Sequence, residues 1–309
     1  MITVLRAPPF ATVQDPGRPG HLEAAVPRAG ALDPLALAAA NLAVGNPRGA
    51  AALEWALGGG EVRFERGASV ALTGAQVTGT LGGRALEPLR VVRARPGDSL
   101  VVERLDRGAW LYIAISGGID VPPVLGSRST YLPGGFGGLS GRVLRSGDRL
   151  PLGTEATQAR LEILPAELGA DTSSNPIRLL PGPDRDLIPP GAWDDLVRAE
   201  YRVSRVVSRM GYRLEAGSSG LVLAGDRPSA PACIGTLQLP AGGKPIVLLG
   251  DGPTVGGYAR IGAVVTADLG YFAQRRPGDS VRFRPVELTE ARQALREQQA
   301  LLDRLERGA

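Results

Sequence analysis

The chain has 309 residues, 43% hydrophobic and 21% charged, with 35 Lys and Arg against 31 Asp and Glu for a formal net charge of +4. That is enough apolar material for one large or two medium domains with real cores, which sets a disordered chain aside. No stretch approaches the roughly 18 consecutive apolar residues of a membrane-spanning helix, and MITVLRAPPF lacks the apolar run of a signal peptide, so a soluble, cytoplasmic protein without a membrane partner is expected.

In chain order, Asp33 and Pro34 read as an N-cap with proline at the first helical position, and Leu35–Val44 continues at helical spacing until Gly45 and Asn46 stop it. Short strands bounded by Gly, Pro or Asp are predicted at Glu61–Phe64, Ser69–Thr73, Val91–Arg93, Ser99–Glu103 and Trp110–Ser116. GADTSSN at Gly169–Asn175 is the linker candidate. A second set of strands follows at Ile177–Leu180, Leu221–Leu223, Ile246–Leu249 and Val281–Phe283, with a short helix at Pro190–Glu200 and an amphipathic one capped by Thr289 over Glu290–Glu306. The 43 Gly and 26 Pro are spread along the chain, which predicts a mainly β architecture in two barrel-like halves, residues 1–168 and 176–309, with a few helices.

An internal echo punctuates the strands. Arg95-Pro96-Gly97-Asp98 recurs as Arg276-Pro277-Gly278-Asp279, with Arg145-Ser146-Gly147-Asp148 as a looser copy. Each reads as a tight turn feeding an apolar strand, its Asp bonding the backbone amides that follow.

Three clusters carry the polar chemistry. In TVQDPGRPG, Gln14 and Arg18 offer amide and guanidinium donors for a carboxylate or ureido oxygen; the alternative is an Asx turn whose arginine satisfies nearby carbonyls. The glycine-rich run from Ser116 to Gly138 adds Ser127, Arg128, Ser129 and Thr130 beside exposed backbone amides, or is simply a set of turns. Arg209, Tyr212 and Thr254 flank the apolar strand at Ile246–Leu249.

Other chemistry has little material. Cys233 is the only cysteine and His21 the only histidine, so no disulfide, CxxC motif, His-rich metal site or conventional catalytic triad is expected. There is no GxxxxGK[ST] phosphate loop and no GxSxG elbow. Arginines are scattered and aromatics are 5% of the chain, which argues against a nucleic-acid partner.

Read in order, TVQDPGRPG, VPRAGALDPLALAAANLAVGNP, AALEWALGG, ALTGA, SGGIDVPPVLGSRSTYLPGGFGG, SRMGYRL and PIVLLGDGPTVGGY resemble the biotin-dependent carboxyltransferase family, variously called allophanate hydrolase subunit 2, KipA and the 5-oxoprolinase C subunit. The resemblance runs from Thr3 to about Phe283 and implies a cyclophilin-like β-barrel fold with a relative inside urea carboxylase. It implies the C subunit of an ATP-dependent 5-oxoprolinase, which with an A subunit and a KipI-like B subunit converts 5-oxoproline to glutamate. Two alternatives stand beside it: carboxyl transfer from carboxybiotin to urea or another amide, and a KipA-type regulatory protein engaging a kinase inhibitor. A small amide is the implied substrate, with Gln14, Arg18, Arg128, Ser129, Arg209, Tyr212 and Thr254 as contacts and no residue assigned to proton transfer. No covalent cofactor is expected, since ATP is used by the complex and Lys244, in Gly-Gly-Lys-Pro, lacks the Met-Lys of a biotin carrier. The chain departs from the family's common pattern at Ala29, Ser208 and Pro253.

Overall fold

The computed structural model describes residues 1–154, 159, 161–169, 174–216 and 228–308. It divides into two compact units, one of Met1–Arg18, Ala29–Ala170 and Ala300–Ala309, the other of Pro19–Arg28 and Asp171–Gln299.

In the first unit, the strands Ile2–Arg6, Phe10–Gln14, Ala52–Ala56, Gly60–Phe64, Ala68–Leu81, Arg84–Ala85, Val92–Ala94, Ser99–Ile115 and Arg149–Leu150 form one sheet. Ser99–Ile115 is its spine, pairing with Gly60–Phe64 near its start, Ala52–Ala56 near its end and Ala68–Leu81 along most of its length. Two predicted strands, Ser99–Glu103 and Trp110–Ser116, are therefore one. The charged stretch between them interrupts the apolar pattern because its side chains face solvent, while the backbone ladder continues through bulges. Val4, Val13, Leu53, Trp55, Val62, Phe64, Val70, Leu100, Leu111 and Ile113 fill the core on one face. The helix Pro34–Ala43 lies against this sheet, with Asp33 Oδ1 accepting from the Ala36 amide at 3.1 Å as predicted and the Thr73 hydroxyl donating to the Ala36 carbonyl at 2.8 Å.

The second unit is a closed barrel. Around the ring run Ile177–Pro181, Ala259–Val264, Thr236–Leu239, Ile246–Leu248, Gly211–Ala216, Glu200–Ser208 and Ser280–Pro285, with antiparallel neighbours except where the first and last close the ring in parallel. The mainly β expectation holds; of the two sheets, this one closes, whereas the order of the other does not. A two-stranded ribbon, Ala230–Pro231 with Val255–Gly256, accompanies the barrel.

Two helices differ from the expected bounds. The helix predicted at Pro190–Glu200 spans Ala192–Arg198; Ala199 is extended, and Glu200 already belongs to the barrel. Thr289 lies inside the terminal helix, Leu288–Arg307, rather than capping it. The strand predicted at Leu221–Leu223 and most of the linker candidate lie outside the described residues.

All three echo turns adopt one geometry. The glycine takes φ near +90°, the Asp amide closes an i+3 to i bond, and the Asp carboxylate accepts from the arginine amide three residues earlier, at 2.9, 2.8 and 2.7 Å for Asp98, Asp148 and Asp279. The predicted bond to the following amides is thus replaced by one to a preceding amide. Each turn also docks like a rung on a strand: Gly97 and Asp98 bond Phe64, Gly147 and Asp148 bond Val4, and Gly278 and Asp279 bond Val203. Proline or serine before glycine supplies the type II dihedrals, and the turn closes the ladder where its strand begins.

Candidate functional site

The strand Phe10–Gln14 delivers the first cluster. Beyond it Asp15 turns the chain, its carboxylate accepting from the Gly17 amide at 2.8 Å as an Asx turn. The same carboxylate accepts from the Ser127 and Ser129 hydroxyls, both at 2.6 Å, and from the Arg128 amide at 2.5 Å. The Asp15 amide donates to Ser129 Oγ at 2.9 Å, and the Thr130 amide to the Val13 carbonyl at 2.9 Å. Four of these bonds end on one carboxylate, so two motifs far apart in sequence become a single buried polar lock.

The predicted contacts in this unit divide by burial. Gln14 is fully buried, its amide donating to Thr12 Oγ1 at 3.0 Å and to the Thr130 carbonyl at 3.1 Å. Arg18 is 1% exposed, donates to the Ser129 and Val124 carbonyls, and lies 5.0 Å over the Phe136 ring. A Cβ at Gly137 would fall on the Ser129 carbonyl and beside Arg18 Nη2, so only glycine lets that loop close over the guanidinium. Ser129 is buried on Asp15. Arg128 alone of the four keeps its charged end near solvent, paired with Asp120 at 2.8 Å. The turn-with-satisfied-carbonyls alternative therefore describes Asp15 and Arg18 as folded.

Sequence reasoning gave no role to Asp15, the centre of this lock, because three of its four partners lie more than a hundred residues away. A second buried carboxylate, Glu54, likewise given no role from the sequence, accepts from the Tyr112 hydroxyl at 2.7 Å and the Leu32 amide at 3.1 Å. Burial, then the nearby Glu54 and Asp33 carboxylates, push the Tyr112 phenol well above its usual range, so it stays a neutral donor.

In the barrel, Arg209 follows the strand Glu200–Ser208 and meets Asp251 through two bonds, Nε to Oδ2 and Nη2 to Oδ1, both 3.0 Å. Both side chains are almost wholly buried, and the Asp251 amide donates to the Arg209 carbonyl at 3.0 Å. Thr254 sits in the same loop, its carbonyl accepting from the Ala232 amide at 2.8 Å. Tyr212 points elsewhere: its hydroxyl donates to the Ala273 carbonyl at 2.8 Å, and its ring lies 5.5 Å from Phe272. Arg209 and Thr254 thus share a loop cluster that Tyr212 does not join. Gln238, on Thr236–Leu239, was not singled out by sequence; it is 3% exposed and its Nε2 has no partner among the described residues.

Comparison with known proteins decides the family. Residues 24–285 match a family model described as "Carboxyltransferase domain, subdomain A and B". The chain belongs to this carboxyltransferase family. Within it, the C subunit of Escherichia coli 5-oxoprolinase is 38% identical over 306 residues, covering 99% of this chain and 97% of the relative. Urea amidolyase of Lachancea kluyveri is 31% identical over 97% of this chain but only 18% of its own length. Among solved structures, Kluyveromyces lactis urea carboxylase superposes with a TM-score of 0.88 at 30% identity, covering 99% of this chain and 29% of that one. The resemblance and the mainly β fold expected from the carboxyltransferase motifs are both borne out. No helix among the described residues is long and apolar enough to cross a membrane.

Proposed function

We propose that this carboxyltransferase-family chain is the C subunit of an ATP-dependent 5-oxoprolinase, acting with the A and B subunits to convert 5-oxoproline to glutamate. The observation that carries the reading is the full-length match to the 5-oxoprolinase C subunit, in which each chain spans nearly all of the other. In the urea amidolyase relative, the matching region is a small part of a much longer chain. The substrate is a small planar amide, and the donors offered to it are those of one unit, Gln14, Arg18, Arg128 and Ser129 in the first or Arg209 and Thr254 in the barrel. Amide, guanidinium and hydroxyl donors of this kind stabilise the oxygen of an attacked carbonyl as it gains charge. ATP is consumed by the complex.

A second reading, carboxyl transfer to urea or another amide, draws support from the superposition on urea carboxylase. Carboxybiotin, when bound, would supply the carboxyl group; the unpartnered amide of Gln238 is a donor suited to a ureido oxygen.

The two readings separate on what drives ATP consumption. With purified A and B subunits added, 5-oxoproline is expected to stimulate ATP hydrolysis and urea is not. Stimulation by urea with a biotin carboxylase and carrier present, and none by 5-oxoproline, would transfer the assignment to carboxyl transfer.

A further inference from the structure

A buried side chain amide without a partner is costly. Leaving such a group unsatisfied incurs its desolvation cost, and a protein that keeps one calls for an explanation such as a ligand that completes it. Gln238 is such a residue in the barrel unit.

Its surroundings follow from the sheet register. Arg213 lies opposite Ile246, Ile246 opposite Gln238, and Gln238 opposite Arg260. Directly opposed residues project to the same face, so these four form a row across four strands. Leu237 and Leu239 alternate with Gln238 and are fully buried, while Arg213 is exposed and Ile246 and Arg260 are half-buried, which places the row on the outer face of the barrel. The ribbon of Ala230–Pro231 and Val255–Gly256 covers its Gln238 end. Arg260 Nη1 donates to the Pro231 carbonyl at 2.9 Å, and a Cβ at Gly256 would stand 3.1 Å from Gln238 Nε2. Glycine at that position lets the ribbon lie close over the Gln238 amide.

The charges in the row are unequal. Arg260 is committed, with Nε on Asp184 at 2.9 Å. Arg213 has no carboxylate or carbonyl partner among the described residues. With strands spaced by about 4.8 Å, its Cα lies about 10 Å from that of Gln238, a span that an extended arginine largely covers.

We propose that Gln238, Ile246 and Arg213 form a binding site for a small cyclic amide that carries a carboxylate, entered from the edge of the ribbon. A lactam presents C=O and N–H side by side, and a primary amide complements that pair with one donor and one acceptor. Gln238 Nε2 donates to the lactam carbonyl and Oε1 accepts its N–H. The ring methylenes lie on Ile246, and the carboxylate meets the Arg213 guanidinium. The site deepens the 5-oxoprolinase reading and rests on it only for the choice of ligand.

Titration calorimetry on the full chain tests this with three ligands: 5-oxoproline, 2-pyrrolidinone, which lacks the carboxylate, and proline, which lacks the ring carbonyl. Wild type is expected to bind 5-oxoproline at least about tenfold more tightly than either. Gln238→Leu is expected to abolish the preference over proline. Arg213→Gln, at an exposed position where folding is not at stake, is expected to abolish the preference over 2-pyrrolidinone while changing 2-pyrrolidinone affinity less than about twofold. Equal binding of all three ligands, no binding of any, or preferences unchanged in both variants would overturn the site. Turnover by the three-subunit mixture that is unaffected in both variants would overturn the site and leave the C-subunit reading standing. Lactam binding that depends on Gln238 without turnover would do the reverse.

Discussion

Asp15 accepts four hydrogen bonds from two separate loops, so Asp15→Ala leaves two buried hydroxyls and two backbone amides without their acceptor. Hydrogen bonds to a charged acceptor are worth about 1.5–3 kcal/mol each, and urea denaturation should show a loss of at least about 3 kcal/mol. The Arg209 and Asp251 pair makes a harsher case, because both charges are out of water. Asp251→Ala strands a buried guanidinium and should cost about 3–5 kcal/mol, whereas Arg128→Ala, whose pair with Asp120 is near solvent, should cost under about 1 kcal/mol. Tyr201 is a pH probe. Burial raises its phenol from 10.0 to about 12, so its contribution is complete below pH 10 and is lost as the pH rises through that window, where the unfolded chain ionises first. Stability measured from pH 9 to 12 should therefore fall less steeply in Tyr201→Phe than in wild type. Asp148 has the opposite sign. Two bonds from Arg142 hold its carboxyl below the usual value, so its contribution is present near neutrality and disappears as the pH falls through the carboxylate range.

At the scale of elements, the turns and the first helix were the most legible features, because their information is local. Pro-Gly-Asp and Ser-Gly-Asp turns close through bonds within four residues, although the Asp accepts from the preceding rather than the following amides, and the Asp33 cap on Ala36 is equally local. Gly278→Ala forces φ near +90° on a residue with a Cβ and should lower stability by about 1–3 kcal/mol; Asp33→Ala removes one capping acceptor and should cost about 1 kcal/mol, both readable as shifts in thermal midpoint. Strand content was less legible. Ala52–Ala56 is buried at every position and so shows no alternation, and its Glu54 hides a carboxylate in the core because Tyr112 lies across the ladder to receive it. Glu200 continued a helical run in sequence, yet its side chain bonds Ser280 and Arg282 on the neighbouring strand. The candidate site was legible as composition and not as geometry. Gln14, Arg18 and Ser129 were found by their donor groups, but only the fold shows those donors turned inward, and Tyr212 was found beside Arg209 although its hydroxyl caps a carbonyl 61 residues away. Gln238 carries no motif at all; what singles it out is a missing partner, which no sequence spacing encodes.

The whole molecule combines an open nine-stranded sheet and a seven-stranded closed barrel, each with its own buried polar anchor: Asp15 in one, Arg209 with Asp251 in the other. Neither anchor is aligned as an acid and base pair, and the barrel's remaining uncommitted groups suit recognition of a ligand more than proton transfer. That inventory fits a protein that binds and positions an amide while chemistry is completed in a complex. The most direct measurement is glutamate formation from 5-oxoproline and ATP by a mixture of this chain with the A and B subunits of 5-oxoprolinase, each omitted in turn. Turnover that requires all three, and collapses when this chain alone is withheld, is the predicted result; turnover by the other two at the same rate without this chain would contradict it.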